Sequence, residues 1–132
     1  MYAKNYIIGA LVLLILDITW ITYFMGPRYK KMVQNIQSVP MKVNVFYAIV
    51  AYALMVFGLI WFVMNNISTE ETIGERVRDS IIYGSLFGLM IYGVYNFTAG
   101  AVISKWSTKI MVLDIIWGMF VYSISSFIGS LV

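Results

Sequence analysis

Residues 6–25 read YIIGALVLLILDITWITYFM, twenty positions that carry one charge, Asp17. The hydrocarbon core of a bilayer takes about 20 predominantly apolar residues in helical form, so this stretch reads as a membrane span. Working outward along the chain, residues 43–64, 80–104 and 110–131 are three further blocks of the same kind. Four such blocks in 132 residues predict one domain, residues 1–132, with an all-α fold: an integral membrane four-helix bundle. The connections, residues 26–42, 65–79 and 105–109, are too short to hold a soluble domain.

Composition points the same way. The chain is 61% hydrophobic and 11% charged, against about 25% charged for ordinary soluble domains, and a soluble protein built from these blocks would have no polar surface left. Apart from Lys4, Asp17 and Asp114 the charged residues lie between the spans, so the net charge of +3 reports topology and does not point to nucleic acid. Cysteine and histidine are absent, which removes thiol nucleophiles, disulfides, thiolate or imidazole metal sites and histidine acid–base catalysis. No phosphate-binding glycine loop or metal-ligand spacing occurs, so no cofactor or metal is implied. Enzyme chemistry ranks low, an aspartate pair sharing a proton being its remaining form. Lys4 precedes the first apolar run without a small-residue cleavage site, which predicts an uncleaved first span.

Short loops rich in Lys and Arg favour the cytoplasm. The first and third loops carry Arg28, Lys30, Lys31, Lys42, Lys105 and Lys109, whereas the other side has Lys4, Arg76 and Arg78 among four acids. This predicts a multi-pass protein with loops one and three cytoplasmic and both termini outside. Within the first loop, Pro27 is suited to open a short interfacial helix. Tyr29, Met32, Val33 and Ile36 would share its apolar side and Arg28, Lys30 and Lys31 the other, with Pro40 ending it. Either contact with anionic head groups or a plain loop cover accounts for those cations.

Asp17 recurs as a pattern. Leu16-Asp17-Ile18-Thr19-Trp20 in the first span matches Leu113-Asp114-Ile115-Ile116-Trp117 in the fourth, and a carboxylate at bilayer depth is disfavoured by roughly 2.5–3.5 kcal/mol on insertion scales. With antiparallel neighbours and about 1.5 Å of rise per residue, Asp17 and Asn96 each lie about 12 Å before the ends of their spans. Asp114 and Tyr47 lie within about 8 Å of the starts of theirs. All four therefore fall in the leaflet facing loops one and three. Asp114 shares a face with Gly118, Tyr122, Ser125 and Gly129, and Asn96 with Tyr92, Gly88 and Gly84; small residues of this kind mark helix contacts in membranes, so the acids should point inward. No Lys or Arg lies within the spans to pair with them. The candidate ligand-binding set is Asp17, Asp114, Asn96, Tyr47, Tyr92, Trp20 and Trp117, the two tryptophans serving either as pocket walls or as interfacial packing.

The string Tyr92-Gly93-Val94-Tyr95-Asn96-Phe97-Thr98, then Trp106, then Asp114-Ile115-Ile116-Trp117-Gly118, together with the first pentad, Tyr29, Phe46-Tyr47 and Tyr83-Gly84 to Gly88, resembles an uncharacterised bacterial family of four-span membrane proteins, a domain of unknown function. The resemblance covers nearly the whole chain. It implies an integral membrane protein with a polar cluster, usually with an aspartate where this chain has Asn96 and an asparagine where it has Ala99, and it supplies no activity. Three functions stand open. The polar layer binds a small polar or lipid-like ligand in one leaflet; or it serves a proton- or cation-coupled transporter acting as a homo-oligomer, with Gly84 and Gly88 as dimer contacts; or it fixes helix register in a structural or assembly subunit. Membrane lipids are the expected partners throughout.

Overall fold

The computed structural model describes residues 1–132 and is 83% helical, with no strands. Its helices are α1 (Ala3–Trp20), α2 (Gly26–Gln37), α3 (Val45–Gly58), α4 (Ile73–Val102) and α5 (Thr108–Ser130). A π-helical turn, Ile21–Met25, joins α1 to α2; another, Leu59–Val63, followed by a 3-10 turn, extends α3. Four continuous helices of 35, 22, 30 and 23 residues are long and apolar enough to cross a membrane. The protein is an integral, multi-pass, all-α membrane protein.

Helix ends depart from the hydropathy blocks in three places. The helix expected in the first loop is present as α2, running on from α1 through the π turn to Gln37. Proline 27 explains the turn, since it has no N–H to return to the carbonyl four residues back, and the Gly26 N–H reaches Ile21 O, five back, instead. The amphipathic sorting holds, with Met32 buried, Tyr29, Val33 and Ile36 half-buried, and Arg28, Lys30 and Lys31 exposed. Ser38, at φ 62°, ends the helix before Pro40 is reached. At the other end, α4 starts seven residues before the apolar block, because Thr72 and Glu75 form a reciprocal capping box. Helix α5 starts two residues early, where Ser107 caps the N–H of Ile110.

Helix α5 is the hub. Against α4 it runs antiparallel at backbone contact: a Cβ on Gly84 would sit 2.6 Å from Ser123 Cα, and one on Gly88 would overlap the Gly118 carbonyl. Bare Cα–H surfaces let the two helices approach this closely. These glycines are therefore consumed inside the chain and are not dimer contacts. On its other side α5 meets α1, whose buried residues are Asn5, Gly9, Leu13 and Asp17, every fourth position and so one narrow face. Asn5 Nδ2 donates to the Gly129 carbonyl at 2.9 Å and Trp117 Nε1 to Asp17 Oδ1 at 2.9 Å, at opposite ends of that seam.

Span two is attached by one half only. Leu59, Val63, Met64 and Ile67 join Leu13, Val121 and Tyr122 in the main apolar core. At the junction Phe87 fills the space over Gly58 and packs edge-on against Tyr122, whose hydroxyl donates to the Met55 carbonyl at 3.3 Å. Before that point α3 diverges: from Val45 to Phe57 no residue is fully buried.

Candidate functional site

A cavity of about 800 Å³ lies in the wedge that α3 leaves open. Seventeen residues line it, 14 of them hydrophobic, and its charged members are Asp17 and Asp114. Helix α1 and the π turn supply Asp17, Trp20 and Ile21; α2 supplies Tyr29 and Val33; α3 supplies Ala48, Ala51, Tyr52 and Met55; α4 supplies Tyr92 and Tyr95. Trp106, in the α4–α5 loop, closes the end nearest α2.

The polar side chains form two linked networks. Asn96, fully buried, donates through Nδ2 to Asp114 Oδ2 at 2.8 Å and to the Tyr92 carbonyl at 2.8 Å, while its Oδ1 accepts from Trp106 Nε1 at 3.3 Å. Asp17 Oδ1 accepts from Trp117 Nε1 at 2.9 Å and from the Tyr92 hydroxyl at 3.3 Å. The networks run side by side, since Tyr92 and Asn96 are one turn apart on α4 and Asp114 and Trp117 one turn apart on α5. Of the four residues predicted to share a level, Asp17, Asn96 and Asp114 are thus brought together across three helices, joined by Tyr92 and not by Tyr47.

Both acids are deeply buried, Asp17 3% and Asp114 7% exposed. Neither is paired to a cation: the chain's one side-chain ion pair, Arg78 with Asp79, lies at the start of α4. The hydroxyls of Tyr52 and Tyr29 are hydrogen-bonding neighbours of the Asp17 and Asp114 carboxyls on the cavity side. With two carboxyls and six aromatic rings in its lining, the site offers acceptor oxygens set in an aromatic wall. An amide at position 96 suits this arrangement: it donates to Asp114 at any pH, whereas the aspartate that the family resemblance implies there would donate only when protonated.

Trp20 and Trp117 prove to be partners. Their rings stack at a centroid distance of 4.4 Å and an interplanar angle of 1°, so Trp20 forms wall rather than interfacial belt. Its indole nitrogen is buried without a hydrogen-bond partner. Of the seven candidates, Asp17, Asp114, Tyr92 and Trp20 line the cavity, Asn96 and Trp117 stand behind it as donors to the acids, and Tyr47, 68% exposed, does neither. Depth along span two was matched, but direction around it was not, and the cavity receives Tyr52, five residues and about 140° further round at 100° per residue. Tyr29, Tyr52, Tyr95 and Trp106 were missing from the sequence-based set. For Tyr29 a signal existed, because it shares the apolar side of α2 with Met32, Val33 and Ile36.

The Asp17 junction yields a stability prediction. Asp17→Leu leaves both Trp117 Nε1 and the Tyr92 hydroxyl without an acceptor and should cost about 1–3 kcal/mol, above the ~0.6 kcal/mol mean for a single membrane hydrogen bond. Asp17→Asn keeps an acceptor oxygen and should stay close to wild type. Thermal unfolding in mild detergent compares them, and equal melting temperatures for the two variants would contradict this role for the carboxyl.

Comparison with known proteins agrees with a membrane protein. No curated protein and no solved structure matches the chain. Residues 2–131 match the family described as predicted membrane protein (DUF2177), and the chain belongs to that family.

Proposed function

We propose that this protein holds a small polar or lipid-like molecule in the wedge between α3 and the rest of the bundle. Its polar end meets Asp17 and Asp114, and its apolar body lies against α3 and α4. One observation carries the reading: two carboxyls more than nine-tenths buried, neither paired to a cation of the protein, open onto an apolar cavity of about 800 Å³. Ligand pockets commonly span 300–1,000 Å³, with apolar lining and a few convergent polar groups. A purely structural polar layer needs no such space beside it. The divergence of α3 gives the molecule a lateral way in from one leaflet, between helices whose facing surfaces are otherwise bathed in lipid.

The same end of the bundle carries Arg28, Lys30, Lys31, Lys42, Lys105 and Lys109, all exposed. By the preference of basic short loops for the cytoplasm, we assign the cleft to the cytoplasmic leaflet.

Native mass spectrometry of gently extracted protein tests the binding reading. Wild type should retain one small-molecule or lipid adduct per chain, and an Asp17→Asn/Asp114→Asn double variant of unchanged helicity should lose it; identical spectra would contradict the site. The side of the membrane is tested separately, with no background because the chain has no cysteine. Lys31→Cys should react with a membrane-impermeant maleimide only after cells are opened, and Glu70→Cys in intact cells. The reverse pattern would overturn the orientation.

A further inference from the structure

The cleft has a second property beyond its size and its acids: it is heavily aromatic and carries no positive group. Trp20, Tyr29, Tyr52, Tyr92, Tyr95 and Trp106 all contribute to its wall, and no Lys or Arg does. From this, and resting on the ligand-binding reading above, we infer that the occupant is an organic cation, an amine or quaternary ammonium with an apolar body.

Three physical arguments converge on that class. Two carboxyls nearly sealed from solvent, and without a cation of the protein beside them, are held in a medium that disfavours unpaired negative charge. A ligand ammonium supplies the missing charge, since neither Asp17 nor Asp114 has an ion-pair partner in the protein. Aromatic rings attract cations through their negative faces, the usual way in which ammonium groups are caged. An anionic head group would meet two acids and no donor stronger than a tyrosine hydroxyl or an indole N–H. A neutral hydroxyl would satisfy the oxygens but would gain nothing from the rings or from the charge.

The experiment compares decyltrimethylammonium, decanol and decanoate, three amphiphiles of equal chain length and different charge. They are titrated into full-length protein in zwitterionic-lipid nanodiscs, with empty nanodiscs subtracted. Tryptophan fluorescence reports occupancy, because Trp20 and Trp106 line the cleft. The cation should saturate at one per chain and bind about tenfold or more tighter than decanol, a ratio that a desolvated cation–π contact supports. Decanoate should be weakest. In the Asp17→Asn/Asp114→Asn variant the preference for the cation should vanish while decanol still binds. Tyr52→Leu, which removes one ring from the half-buried second span, should weaken the cation more than the alcohol. Should the double variant fail to fold, the wild-type ratio and Tyr52→Leu decide alone. Saturable binding in which decanol or decanoate equals the cation overturns the cation assignment and leaves the cleft reading standing. Failure of all three to saturate overturns both.

Discussion

The indole N–H of Trp117 reaches Asp17 across 2.9 Å and so ties the last span to the first. Within hydrocarbon there is no water to satisfy a buried polar group, and such groups must find partners inside the chain. Much of the architecture follows from that constraint. Asp17 needs donors and receives them from α4 and α5; Asp114 needs one and receives Asn96. The close fit of α4 on α5, through Gly84, Gly88 and Gly118, brings Tyr92 and Asn96 within reach of the two acids. Helices α1, α4 and α5 thereby form a core in which polar contacts and backbone approach support one another.

Span two stands apart from that logic. It has no charged residue and is apolar on all sides, with a mean hydropathy of 2.3 over its best window. Nothing polar in its middle obliges it to close on the bundle. Its final turns are held by Leu59, Val63 and Met64, with Phe87 and Tyr122 packed at Gly58, and its first half leans away. The π turn at Ile21–Met25 contributes Ile21 to the wall of this opening; π-helical insertions in α-helices often accompany functional sites. Four aromatic side chains from α1, α2 and α4, together with Tyr52 and Trp106, then coat a space that the polar networks border but do not fill.

Much of this was legible in the sequence. Length and hydropathy were enough for four spans, and depth along antiparallel helices was enough to bring Asp17, Asn96 and Asp114 to one level. The small-residue stripes through Gly118, Tyr122, Ser125 and Gly129, and through Gly84, Gly88 and Tyr92, are the faces that pack. Azimuth was not legible for span two, because a helix apolar all round carries no stripe to orient it, and so Tyr47 stood where Tyr52 belongs. Helix ends were hidden for a related reason: hydropathy measures what hydrocarbon tolerates, whereas the hydrogen-bonded helix runs on through the capping box at Thr72 and past Pro27 into α2. The wedge itself arises from one span diverging from the other three, a tertiary fact with no counterpart in local sequence.

An experimental structure of the wild-type protein crystallised from a lipidic mesophase tests the central claim most directly. The account predicts α3 standing off the bundle and elongated density in the cleft, with one end within hydrogen-bond distance of Asp17 or Asp114. A cleft collapsed by α3 packing on α1 and α4, with both carboxyls satisfied only by protein groups and no density between them, would contradict it.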